Sequence, residues 1–203
     1  MKVKFCGFTN QQDVDDAVNL GVDALGFIFY DKSPRYVSAD VVQELVYFLP
    51  PFVTTVGVFV NHDLDFVNKV VKQCNLDFVQ LHGDESPDYC MKVKGKIIKA
   101  VRVSSAADLT QIAKYQGLVS SIILDTKIDG VYGGTGKSFD WGIALSAKQY
   151  DVPIILSGGV AAENLSKAID IVNPYAIDLV SSIEAEPGKK DYNKMKEILD
   201  HVR

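Results

Sequence analysis

The segment SIILDTKIDGVYGGTGKSFDW, Ser121 to Trp141, joins an apolar run to a glycine-rich loop through a single carboxylate. Ile122, Ile123 and Leu124 are β-branched or bulky residues suited to a strand buried on both faces, and such strands belong to parallel sheets covered by helices. Asp125 then stands at a strand's carboxyl end. Gly130, Gly133, Gly134 and Gly136 make the following loop conformationally permissive, Lys137 adds a positive charge, and Ser138 is suited to cap a short helix. That is the chemistry of a mobile cover over an anion. The letters nearly match a nucleotide-binding P-loop, but the first glycine of that pattern would fall at Val131 and the strand ends several residues too early. A surface loop with an incidental Asp is the plainer alternative.

The same alternation recurs on both sides. Strand-like runs are expected at Val3 to Cys6, Ala24 to Phe29, Val53 to Val60, Asp77 to Leu81, Ile97 to Val101, Val119 to Leu124, Pro153 to Leu156 and Ala176 to Val180. Helical patterns fill the gaps: Asn10 to Leu20, Ala39 to Phe48, Asp63 to Cys74, Pro87 to Val93, Ala106 to Tyr115, Trp141 to Ala147 and Ala162 to Val172, with Asp191 to Val202 closing the chain. Eight βα units of about 25 residues are the count and length of a small (β/α)8 barrel, an α/β fold. The competing doubly wound sheet would show a glycine fingerprint after its first strand, where Gly7 stands alone. No linker or composition break divides the 203 residues, so a single domain over 1–203 is expected.

Composition narrows the function. Hydrophobic residues make up 47% and charged residues 23%, and the net charge of −5 is interspersed, with no basic run to favour nucleic acid or an anionic membrane. No apolar run approaches the roughly 20 residues that span a bilayer, and no signal peptide opens the chain, so a cytoplasmic location is the expectation. Cys6, Cys74 and Cys90 form no CxxC, and His62, His82 and His201 are scattered, which suggests neither a disulfide framework nor a metal site.

In a (β/α)8 barrel the active site lies at the carboxyl ends of the strands. This converts the strand count into candidates: Cys6, Arg35 in a longer second loop, Asn61, His82, Arg102, Asp125, Ser157 to Gly159 and Ser181 to Glu184. Gly158 and Gly159 fall in the seventh loop, where barrels commonly bind phosphate, and glycine lets backbone N–H groups approach an anion; a tight turn needing positive φ is the alternative. Ser181 and Ser182 of the eighth loop would complete the cradle. Lys4 and Cys6 share a strand face, and a lysine inside a barrel needs a partner, for which Asp178 on the neighbouring eighth strand is the candidate. Its ammonium group is expected to favour the Cys6 thiolate. Asp125 suits a general acid, Arg35 suits forking onto a carboxylate, and His82, on one face with Gln80, points either at ligand or into structure.

These residues resemble, in order, the phosphoribosylanthranilate isomerase family of tryptophan biosynthesis. The likeness is carried by Lys4-Phe5-Cys6-Gly7-Phe8-Thr9, Ser33-Pro34-Arg35-Tyr36, Val58-Phe59-Val60-Asn61, Gln80-Leu81-His82-Gly83, Leu124-Asp125-Thr126, Gly133-Gly134-Thr135-Gly136-Lys137-Ser138-Phe139-Asp140-Trp141, Leu156-Ser157-Gly158-Gly159 and Glu184-Ala185-Glu186-Pro187-Gly188-Lys189-Lys190-Asp191. The resemblance implies a barrel that performs an Amadori rearrangement of N-(5-phosphoribosyl)anthranilate without cofactor or metal. It makes Asp125 the acid and Cys6 the base, places Arg35 on the anthranilate carboxylate, and has Gln80, His82, Gly134, Gly158, Gly159, Ser181 and Ser182 meet the substrate. The implied partner is a small phosphosugar, and the implied assembly a monomer or homodimer.

One departure stands out. Where the family usually reads Asp-Val-Ser-Ser-Gly-Val-Glu, this chain has Asp178-Leu179-Val180-Ser181-Ser182-Ile183-Glu184, so Ser182 replaces a glycine and is expected to be strained if that position uses positive φ. Two other functions compete. A barrel isomerase acting on a histidine-pathway aminoaldose would need two phosphate cradles, and only one is evident. A regulatory phosphate-binding barrel without turnover would fit the altered eighth loop, but Cys6 and Asp125 argue against it.

Overall fold

The computed structural model describes residues 1–127 and 139–203. Eight parallel strands close into a barrel in chain order: β1 Lys2–Cys6, β2 Ala24–Ile28, β3 Thr54–Phe59, β4 Phe78–Leu81, β5 Lys96–Val103, β6 Ser121–Thr126, β7 Ile154–Leu156 and β8 Ala176–Leu179. Closure is made by β1 against β8, in a register that sets Lys4 opposite Asp178.

Strand side chains alternate between two surroundings. One set faces the helices and builds the large core with Phe5, Leu25, Phe27, Phe59, Leu81, Ile122, Leu124 and Ile177. The other set points into the barrel. Its lower part is a small apolar cluster of Val56, Ile98, Ala100, Ile123, Ile155 and Ala176. One pleat higher on the same face the residues turn polar: Lys4 and Cys6 on β1, Gln80 on β4, Asp125 on β6 and Asp178 on β8, all buried. These side chains are buried with little water to screen them, so their charges interact strongly and must be paired.

The helices are α1 Gln11–Asn19, α2 Ala39–Tyr47, α3 Leu64–Gln73, α4 Pro87–Cys90, α5 Trp141–Ser146, α6 Leu165–Val172 and α7 Tyr192–Val202. Asn10 caps α1 by accepting the Asp13 N–H, and Ser38 caps α2 by accepting the Val41 N–H. The cap of α5 is Asp140, which accepts the Gly142 N–H; Ser138, suited to cap a short helix, lies outside the described residues.

Two elements differ from expectation. Ala106–Tyr115 is a 3-10 helix and not an α-helix. Its buried residues Leu109, Ile112 and Tyr115 recur every third position, which lines up on one face only with three residues per turn. After β8 the chain forms a short antiparallel hairpin, β9 Glu184–Glu186 and β10 Lys189–Lys190, that the strand count did not contain.

Candidate active site

Cys6 ends β1 with its thiol inside the barrel, against β2. Gly26 is what admits it: a Cβ there would collide with the Cys6 sulfur and lie 3.0 Å from its Cβ. The Lys4 ammonium below donates to Asp178 Oδ1 at 2.8 Å, and both side chains are almost wholly buried, so the expected pairing is present. Burial opposes the charge on Lys4, yet Asp178 and Cys6 together hold its pKa above the ordinary value.

The expected effect on Cys6 does not prevail. Burial pushes the thiol's pKa up, and the pull of Lys4 and Lys190 in the other direction does not outweigh it. Desolvation of a thiolate beside a carboxylate that already claims Lys4 is the physical reason. Cys6 therefore rests as a thiol.

Asp125 stands near the end of β6, with Oδ1 accepting the Thr126 N–H at 2.8 Å and Oδ2 lying 3.1 Å from His82 Nε2. His82 Nδ1 lies 2.9 Å from the Gln80 amide nitrogen. That amide orientation puts the ring proton on Nε2, aimed at Asp125. Gln80 and His82 thus form a line of contacts ending on the carboxylate, which the shared strand face announced only in part. Gln80 Oε1 is buried and has no partner among the described residues.

Cys6 and Asp125 line one narrow cavity of about 50 Å³, together with Arg35, Gln80, His82 and Asp178. Asp125, Ser157, Asp178 and Val180 also border a wider cavity of about 470 Å³, which continues past Gly158 and Gly159 to Ser181, Ser182 and Lys194. Gly158 and Gly159 have φ of 77° and 70°. A Cβ on Gly158 would strike Thr126 and stand 3.0 Å from Asp125 Oδ1, so here the tight turn and the open backbone are the same feature.

Ser182 is not among the residues with positive φ, and the strain expected of it is absent. Ser181–Ile183 winds as one 3-10 turn that any residue can adopt. Lys194, at the start of α7, is a site residue that the sequence reading does not single out. Its Nζ donates to the Glu184 carbonyl at 2.7 Å while the side chain borders the wide cavity. A lone lysine on an amphipathic helix carries no sequence signal.

Arg35 reaches the narrow cavity, but its fork is largely committed: Nε donates to both Glu184 oxygens at 2.9 and 3.0 Å, and Nη2 to Oε2 at 2.7 Å. Nη1 is the part left for a ligand. Two strand-end candidates do not join the site. Asn61 accepts the Asp84 N–H and braces the fourth loop, and Arg102 pairs with the exposed Asp84. Gly134 and its loop lie outside the described residues. Among the described residues, no group of three or more His, Cys, Asp or Glu side chains is placed to hold a metal ion, and no helix is long and apolar enough to cross a membrane.

The model of the family described as N-(5'phosphoribosyl)anthranilate (PRA) isomerase matches residues 3–201. N-(5'-phosphoribosyl)anthranilate isomerase of Trichlorobacter lovleyi is 45% identical over 203 residues, covering 100% of this chain and 98% of its own. The crystal structure of phosphoribosyl anthranilate isomerase from Thermotoga maritima superposes with a TM-score of 0.93 at 42% identity, covering 100% of this chain and 98% of that one. A second structure of such an isomerase, in complex with reduced 1-(o-carboxyphenylamino)-1-deoxyribulose 5-phosphate, gives 0.89 at 39% identity over 98% and 97% of the two chains. With a polar mouth of this geometry on an eight-stranded barrel and a match from the first strand to the last helix, the chain belongs to the N-(5'-phosphoribosyl)anthranilate isomerase family.

Proposed function

We propose that this chain converts N-(5-phosphoribosyl)anthranilate to 1-(2-carboxyphenylamino)-1-deoxyribulose 5-phosphate with Asp125 as general acid and Cys6 as general base. The observation that carries the assignment is that a carboxyl from β6 and a thiol from β1 line one narrow cavity at the mouth of the barrel. Asp125 gives its proton to the ribose ring oxygen. The C1′–O bond breaks toward that oxygen and the nitrogen lone pair forms the iminium. Cys6 reacts through the fraction that has lost its thiol proton to solvent: as thiolate it takes the C2′ proton, and the released pair forms C1′=C2′ of the enolamine as the iminium electrons return to nitrogen. Transfer of the 2′-hydroxyl proton to C1′ completes the ketone. Acid and base act on opposite ends of one electron shift, so they need separate environments, and the Gln80–His82 line on one and the Lys4–Asp178 pair beside the other supply them.

The phosphate falls to the wide cavity, where Gly158, Gly159, Ser181 and Ser182 offer backbone and hydroxyl donors and Lys194 a charge. Arg35 Nη1 takes the anthranilate carboxylate, and Gln80 Oε1 accepts from a substrate N–H or hydroxyl.

The test is the loss of phosphoribosylanthranilate fluorescence on adding the protein, with neither metal nor nucleotide present. Turnover that disappears in Cys6→Ala and Asp125→Asn supports the assignment. Binding without turnover in the unmutated chain would instead favour a regulatory barrel.

A further inference from the structure

The hairpin after β8 belongs to no βα unit, yet it meets two functional residues from distant parts of the chain. Lys190 Nζ, completely buried, donates to the Cys6 carbonyl at 2.5 Å and to Glu184 Oε1 at 2.8 Å. Glu184 in turn receives Arg35 through the three contacts described above, and the Gly188 N–H at 3.2 Å. The hairpin is itself anchored: the Lys190 N–H donates to Asp13 Oδ2 at 2.7 Å, and Thr9 donates to the Gly188 carbonyl at 2.6 Å. Gly7, with φ of 85°, makes the approach possible, since a Cβ there would stand 2.8 Å from Arg35 Cδ and 3.4 Å from Lys190 Nζ.

A lysine and a glutamate buried to this degree are costly unless their bonds are satisfied. Scaffolding alone would be served by apolar residues, which the adjoining Phe8 and Ile183 show the site can pack. We propose that Glu184 and Lys190 are positioning residues for the reaction: Lys190 fixes the Cys6 peptide, and so the line of the thiol, while Glu184 holds Arg35 so that Nη1 faces the cavity. The inference rests on the roles given above to Cys6 and Arg35.

The arrangement also has an electrostatic consequence. The charged groups that act on the Cys6 thiol are Lys4 on its own strand, Asp178 on β8 and Lys190 of the hairpin. The Lys190 ammonium stabilises negative charge on Cys6 and so partly offsets the burial that disfavours it. Removing it moves the thiol's ionisation to higher pH.

Lys190→Met and Glu184→Gln make the test. In Lys190→Met the limb of kcat/KM that rises with pH is expected to move in the alkaline direction. A limb displaced by one pH unit leaves a deficit of about tenfold at neutral pH, and the deficit narrows in base. Glu184→Gln is expected to raise KM for phosphoribosylanthranilate by about tenfold, as befits a lost charge-assisted contact, with kcat little changed. Its affinity for the aniline analogue lacking the carboxylate is expected to stay as in the unmutated protein. A uniform loss of kcat with no displaced pH profile and no discrimination by the carboxylate would overturn the inference and leave the hairpin purely structural; so would unchanged kinetics in both variants. Should Lys190→Met fail to fold, the carboxylate comparison in Glu184→Gln decides alone. Alkylation of Cys6 against pH, located by mass spectrometry, reads the Lys190 effect without turnover. A catalytically inert unmutated chain would therefore refute the assigned reaction and still leave the positioning of Cys6 open to measurement.

Discussion

The two sides of the barrel mouth are built on opposite principles. Around Cys6 the charges are buried and paired beside a cavity of about 50 Å³: Lys4 with Asp178, and Arg35 and Lys190 both with Glu184. Around Gly158 and Ser181 the space is about 470 Å³, the donors include backbone N–H groups, and the cation at its edge, Lys194, is exposed. Proton transfer at carbon needs groups that do not reorganise, in surroundings where their fields are unscreened. Holding a dianionic phosphate requires only donors that converge, and these work equally well in a wet site. On the proposed function, chemistry and anchorage are separated across one sugar's length.

The largest effects should fall on the buried side. Cys6→Ala and Asp125→Asn are each expected to lower kcat by about 10² to 10⁴-fold, the usual range for a lost general acid or base, with the substrate still binding through its phosphate. Steady-state turnover and a binding titration check the two halves of that statement. If either variant kept full kcat, the division of the mouth would collapse.

Lys4→Met tests the same side through stability. It leaves Asp178 buried with no counter-charge, which typically costs about 3–5 kcal/mol, and the denaturant midpoint should fall accordingly. A midpoint that does not move would mean that Asp178 takes up a proton at no cost.

Lys194→Ala probes the open side, where a solvated charge is worth less. KM should rise by about tenfold or less, corresponding to about 1.4 kcal/mol, with kcat preserved and the difference shrinking in high salt. A fall in kcat would show that anchorage and chemistry are not separate after all.

The smallest effect concerns acid stability. Burial alone would raise the pKa of Glu184, but hydrogen bonds and charge from Arg35 and Lys190 hold it below the ordinary carboxylate value of 4.5. Its contribution is then complete above the unfolded pKa and vanishes as pH falls through the lowered folded one. Glu184→Gln should lose stability at neutral pH and show a shallower decline in acid than the unmutated chain. Chemical denaturation at several acid pH values checks this.

Much of this was legible in the sequence because a barrel strand has period two and its active face a fixed end. Gln80, His82, Asp125, Ser157 and Asp178 are reached by counting along alternate positions from an apolar start, and Cys6 by the same step from Lys4. The same arithmetic proposed Lys4 for Asp178, which the register of β1 against β8 bears out. Counting along strands is silent on what arrives from outside them. Nothing in the local pattern said that a hairpin would reach back to Cys6 and Arg35 from 184 and 149 positions away, that Lys194 would border the wide cavity, or that His82 would settle on Asp125.

The sequence by itself determined the barrel and the chemical types at its mouth, because both follow from short-range periodicity and residue identity. Only the tertiary structure decided their protonation and aim. Whether Cys6 rests as thiol or thiolate depends on burial competing with three neighbouring charges, and those distances exist only once the barrel has closed.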